Sequence, residues 1–94
     1  MPLKAFQYAV GEWGKQTFPW QTIESIIAHL KREVKELSDD PGTEEAADCF
    51  LLLLNLAHRL GFDLKEEAEA KFRINRKRKW GKPDSQGVVE HIRG

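Results

Sequence analysis

The chain has one cysteine, Cys49, so no disulfide can close within it, and a reducing compartment is the expectation. It has no apolar run long enough for a bilayer. The longest, residues 49–57, falls far short of the roughly 20 residues a spanning helix needs. The N-terminal stretch MPLKAFQYAVGEWGK carries no continuous apolar segment of signal-peptide type. No internal repeat or low-complexity tract is visible. The three histidines, His29, His58 and His91, lack zinc-ligand spacing, and one cysteine cannot complete a structural zinc site. No GxSxG, P-loop or GxGxxG pattern occurs, and no Ser/His/Asp arrangement can be assembled. Net charge is also absent, with 15 basic and 15 acidic residues. These absences argue against a disulfide scaffold, a membrane span, a zinc module, a serine hydrolase of familiar type and a dinucleotide-binding fold.

What is present is carboxylate in pairs. Glu33 with Glu36 and Glu45 with Asp48 stand three residues apart, and on a helix such positions share a face. Two helices packed antiparallel across the turn at Pro41-Gly42 would bring the four acids together. Like charges at close quarters repel unless a cation neutralises them, and hard divalent ions with oxygen ligands do so. The same residues could instead be solvated positions on amphipathic helices. Asp48 opens the apolar run 49–57, where an acid would be partly buried and costly unless paired or metal-bound.

The charge is unevenly placed. Residues 33–48 hold seven acids and residues 71–82 hold seven bases. An acidic centre beside a basic element suits a metal ion with a polyphosphate. Lys71, Asn75 and Arg78, at i, i+4 and i+7, could hold phosphate oxygens. They could also be a solvated face favoured by the helix dipole, or a nucleic-acid patch, against which the nearby acids and zero net charge count.

The chain reads as a single domain, residues 1–94, of all-α class, with residues 80–94 as a C-terminal tail. A first helix is predicted over about residues 3–13, with Leu3, Phe6, Ala9, Val10 and Trp13 recurring and Gly14 as its stop. Residues 14–21 read as a loop. Thr22 caps a second helix of about residues 23–38, with Ile23, Ile26, Ile27, Leu30, Val34 and Leu37 as its stripe and His29, Glu33 and Glu36 along one border. Thr43 is the expected cap of a third helix ending at about Leu60, with Gly61 as its C′ residue. Asp63 begins a fourth, with Glu66 closing a capping box, running to about Lys79 or Trp80. No strand is expected.

In CFLLLLNLA, residues 49–57, eight of nine residues are apolar, more than three other short helices can cover. A second copy of the chain could, which predicts a homodimer. Trp13, Phe18 and Trp20 precede the acidic helix. They are core or loop anchors, or a wall for a nucleobase, with Trp20 the substrate-contacting candidate. His29 borders the acids and could also touch substrate.

With these residues in place the chain resembles the MazG-like all-α nucleoside triphosphate pyrophosphohydrolases. The resemblance runs through HLKREVKEL (29–37), EEAADCFLLLL (44–54), KFRINRKRKW (71–80) and KPDSQGVVEHIR (82–93). The family's ExxE and ExxD elements correspond to Glu33/Glu36 and Glu45/Asp48, and its Lys–Asn–Arg pattern to Lys71, Asn75 and Arg78. The tail is similar to that of a short branch, the dATP/dGTP diphosphohydrolases, called MazZ in phages. Many members carry a Glu doublet where this chain has Arg32-Glu33, and the spacer between motifs here is short.

The resemblance implies a four-helix-bundle-like fold completed by dimerisation, as a homodimer or dimer of dimers. It implies hydrolysis of a purine nucleoside triphosphate, dGTP or dATP, to the monophosphate and pyrophosphate. The role would be nucleotide-pool control or supply to a modified phage genome. The implied metal is Mg2+, with Mn2+ able to substitute, on Glu33, Glu36, Glu45 and Asp48. Glu36 or Glu45 would take the proton of the attacking water, and Lys71 and Arg78 would stabilise phosphate charge. The expected setting is the cytoplasm of a bacterium or a phage-infected host, without membrane or nucleic-acid partners. The rival readings are a non-enzymatic helical regulator that binds nucleotide and a nucleic-acid-binding module built on residues 71–82.

Overall fold

The computed structural model describes residues 1–92. Four helices follow one another: α1 Leu3–Thr17, α2 Ile23–Asp39, α3 Thr43–Leu60 and α4 Leu64–Lys77. Two short strands, β1 Lys79–Trp80 and β2 His91–Ile92, pair antiparallel, Lys79 opposite Ile92 and Trp80 opposite His91. The all-α expectation holds for the helices, and this small ribbon is the addition. Arg93, the last residue of the quoted tail segment, lies outside the described residues.

α2 and α3 form the main packed pair, and α1 lies across α3. α2 starts on a full capping box. Thr22 Oγ1 accepts from Ser25 N at 3.1 Å and Ser25 Oγ accepts from Thr22 N at 2.8 Å, which satisfies donors that a helix start leaves open. At α4, Asp63 Oδ1 accepts from Glu66 N at 3.1 Å. Gly42, not Thr43, is the N-cap of α3. Gly61 ends α3 in the left-handed region at φ 85°, its N–H reaching the Ala57 carbonyl at 2.9 Å, as expected for a C′ glycine.

α1 departs from the expectation in length and in face. It passes through Gly14 to Thr17 and stops where Phe18 leaves helical geometry ahead of Pro19. Its buried residues are Gln7, Gly11 and Gly14, at i, i+4 and i+7. Tyr8 and Trp13 stay exposed. A side chain at Gly11 would collide with the His58 ring, and one at Gly14 would meet Asn55 Oδ1 at 3.0 Å. Missing Cβ atoms, not apolar bulk, set how closely α1 approaches α3. Gln7 fills the end of this seam. It donates to the Phe62 carbonyl at 2.7 Å and accepts from Leu64 N at 3.0 Å, tying α1 to the α3–α4 connection.

Among the described residues only Ile26, Leu52, Leu54 and Ala57 are buried apolar residues. Phe50, Leu51 and Leu53 on α3 and Ile27 and Val34 on α2 remain exposed, and no residue of α4 is buried. The radius of gyration is 15.7 Å, against about 12 Å for a compact domain of this length. No helix among the described residues is long and apolar enough to cross a membrane.

Candidate active site

α2 and α3 carry Glu33 and Asp48 to one end of a cavity of about 690 Å³, while Glu36 and Glu45 are not among its lining residues. Ser25, His29 and Glu33 line it from α2 at four-residue steps, one helical turn apart. Asp48, Leu51, Leu52 and Asn55 line it from α3. Ser25 and Asn55 mark one end and Glu33 and Asp48 the other, so the two helices run in opposite directions along it. α1 and the following loop supply the third wall, with Trp13, Phe18, Trp20 and Gln21. The aromatics meet edge to face, Trp13 with Phe18 at 5.2 Å and Phe18 with Trp20 at 5.9 Å between ring centroids.

The acids are neighbours that repel. The Glu36 carboxyl is raised above its ordinary value, first by the adjacent Glu33 carboxylate, then by burial, then by Asp48 and Glu45 across the turn. Glu33 itself is held on one side only. Its Oε1 lies 3.1 Å from His29 Nε2, while its Oε2 is buried with no hydrogen-bond partner among the described residues. Glu45 is half-buried and its carboxylate folds back over Gly42. Asp48 is exposed in the single chain, contrary to the partial burial expected of it, because Phe50 and Leu51 beside it are uncovered too. Among the described residues no three His, Cys, Asp or Glu side chains are drawn into ion-holding distance of one another.

The Lys–Asn–Arg set is divided. Lys71 is exposed on α4. Arg78, expected on the same helix face, is instead the extended C-cap of α4 at ψ 152°. Its guanidinium donates to Asn75 Oδ1 at 3.3 Å and lies 3.4 Å from His91 Nδ1 on the returning tail. Trp80 Nε1 donates to the Asn75 carbonyl at 3.1 Å, so the tail takes over the backbone group that would have continued the helix. None of Lys71, Asn75 and Arg78 lines the cavity of the same chain. His58 binds Glu12 at 2.7 Å, a tie between α1 and α3. Cys49 is half-buried with a free thiol.

Sequence reasoning missed Gln21, Ser25 and Asn55 as cavity residues. Asn55 had a signal, as the one polar residue in the run 49–57.

Comparison with known proteins places this geometry. The family model for dATP/dGTP pyrophosphohydrolase matches residues 6–94. A dATP/dGTP diphosphohydrolase of Cyanophage S-2L is 37% identical over 93 residues, covering 94% of this chain and 86% of that protein. One of Salmonella phage PMBT28 is 34% identical over 90 residues, covering 92% of this chain but 30% of that longer protein. The solved structure of the Cyanophage S-2L MazG-like pyrophosphohydrolase, bound to dGDP and three catalytic Mn2+ ions per active site, superposes with a TM-score of 0.87 at 34% identity. That similarity covers 100% of this chain and 95% of the other. The chain therefore belongs to the dATP/dGTP pyrophosphohydrolase family, with the four-helix MazG-type fold.

Proposed function

We propose that this protein hydrolyses dGTP and dATP to the nucleoside monophosphate and pyrophosphate, with Mg2+ as its metal and Mn2+ able to replace it. The observation that carries this reading is the cavity, with an aromatic wall of Trp13, Phe18 and Trp20 and the carboxylates of Glu33 and Asp48 at its far end. Such a site suits a molecule that is flat at one end and multiply anionic at the other.

The donor set fits divalent cations. All four acids are hard oxygen ligands, Glu33 Oε2 is buried without a partner, and Glu36 is raised by its acidic neighbours. Ions on Glu33, Glu36, Glu45 and Asp48 would neutralise the triphosphate and lower the pKa of a water. His29 holds Glu33 in its rotamer through the 3.1 Å contact. Glu36 and Glu45 are the two carboxylates suited to accept the proton of the attacking water, and Glu36 is the one whose proton affinity its neighbours raise. Trp20 and its aromatic neighbours hold the base and exclude water from that end. Lys71, Asn75 and Arg78 offer cationic and amide donors to the departing pyrophosphate.

The working form is a homodimer or a dimer of dimers. Exposed Phe50, Leu51, Leu53, Ile27 and Val34, with a core of four buried apolar residues among those described, support a second copy covering the α2–α3 pair. Because Lys71, Asn75 and Arg78 stand away from the cavity of their own chain, assembly also bears on how they meet substrate. The setting is cytoplasmic, and the substrate pool is that of the cell in which the protein is made. A panel of common ribo- and deoxynucleoside triphosphates with Mg2+, products resolved by chromatography, tests the reading. Release of pyrophosphate from purine deoxynucleotides supports it, and inertness toward all of them removes it.

A further inference from the structure

The end of the cavity remote from the acids carries a polar pair that the chemistry at phosphorus does not use. Asn55, only 6% exposed, sits in the most apolar run of the chain. Its Nδ2 donates to Gln21 Oε1 at 3.1 Å, and its Oδ1 is buried against Gly14 without a hydrogen-bond partner among the described residues. A buried amide with one side unsatisfied costs stability, so its position calls for something beyond packing. What it does is fix Gln21. The Gln21 main chain is also held at both ends: its N–H donates to the Phe18 carbonyl at 3.0 Å, and its carbonyl accepts from Arg59 Nη1 at 2.8 Å. With N–H, carbonyl and Oε1 all engaged, Nε2 is the uncommitted polar group of Gln21, with no partner among the described residues, on a residue that lines the cavity beside Trp20.

The spacing along the helices matches the length of a nucleotide. Asp48 to Asn55 is seven residues and Ser25 to Glu33 is eight, each about 10–12 Å at 1.5 Å per residue. A nucleotide with its phosphates at the acids would bring its base edge to this amide pair.

Resting on the function proposed above, we propose that Gln21 is a specificity-determining residue that reads the purine edge, with Asn55 as the residue that positions it. Nε2 is a donor. At ring position 6 guanine offers an acceptor oxygen and adenine an amino donor, so a fixed donor there favours dGTP over dATP. Asn55, by holding Oε1, sets which half of the Gln21 amide faces the base.

The test is kcat/KM for dGTP and dATP with Mg2+, measured on the wild type, Gln21→Ala and Gln21→Glu, with helical circular dichroism confirming the fold. Gln21→Ala lowers dGTP turnover relative to dATP by about threefold to tenfold, the worth of one net hydrogen bond. Gln21→Glu keeps the acceptor that Asn55 donates to, turns the other half of the group into an acceptor, and moves the preference further toward dATP. An unchanged dGTP to dATP ratio in Gln21→Glu, with both rates lowered equally, overturns the specificity role and leaves the proposed function standing. A wild type that cleaves neither nucleotide overturns both.

Discussion

His29 Nε2 lies 3.1 Å from Glu33 Oε1, one turn away on α2, while the other oxygen of Glu33 is buried with no hydrogen-bond partner among the described residues. A carboxylate held on one side and unsatisfied on the other, beside a second carboxyl whose proton affinity it raises, has the character the proposed cation site needs. The proposed function rests on these acids more than on any other group.

Replacing one acid should therefore remove activity without removing the fold. Glu36→Gln and Asp48→Asn are expected to lower turnover by at least about a hundredfold, the loss of several kcal/mol of metal-borne charge stabilisation. Both side chains are exposed, so helical content should be unchanged. Steady-state kinetics paired with circular dichroism checks this, and most of the activity surviving in a folded variant would remove the metal-site assignment.

The raised Glu36 carboxyl makes a stability prediction. Its folded-state pKa lies above the ordinary 4.5 because of Glu33 first. The folded state thus binds this proton more tightly than the unfolded chain. The resulting stabilisation is full below the unfolded value and is lost as pH rises through the raised folded value. Glu12 has the opposite sign. Hydrogen bonds from His58 and then Lys15 lower its pKa, so its contribution is present above 4.5 and lost as pH falls. Comparing wild type with Glu36→Gln isolates the first effect. Without divalent ions the variant should melt higher at neutral pH, and the difference should close as pH falls toward 4.5. A pH-independent difference would contradict this.

Leu53 and Leu54 should separate assembly from folding. The sequence places both in one apolar run, but Leu53 is 39% exposed in the single chain and Leu54 is 0% exposed. Leu53→Lys is expected to leave a folded single chain by light scattering, where the wild type gives a dimer or tetramer mass. Leu54→Lys is expected to unfold, because an ammonium in the core has no partner. A wild type with single-chain mass at micromolar concentration would dispose of the homodimer.

Lys71→Ala and Arg78→Ala should each lower kcat/KM by about tenfold, or ~1.4 kcal/mol, with a smaller loss for Lys77→Ala. Arg78 carries an added expectation, since its contacts to Asn75 and His91 fasten the tail. Its replacement should increase amide exchange over residues 79–92, whereas Lys71→Ala should not. Equal losses in all three variants would reduce the basic end to a general electrostatic attraction.

Much of this was legible in the residues. The helices α2 and α3, the turn between them and the glycine stop at Gly61 follow from periodicity and turn chemistry, which are local. The acid pairs followed from three-residue spacing alone. The buried face of α1 did not, because Gln7, Gly11 and Gly14 are chosen for backbone approach and hydrogen bonding, and a search for apolar stripes passes over them. Arg78 leaves the helix for a reason that lies far along the chain: Trp80 pairs with His91, and no local pattern records that return. Gln21 read as loop because the contacts that fix it, with Asn55 and Arg59, come from 34 and 38 positions away.

The most direct measurement is hydrolysis of dGTP in 18O-labelled water with Mg2+, the products separated and weighed by mass spectrometry. Attack at the α-phosphorus, as the proposed function predicts, puts the label in the nucleoside monophosphate and leaves pyrophosphate unlabelled. Label in pyrophosphate, or release of single phosphate, would contradict the account.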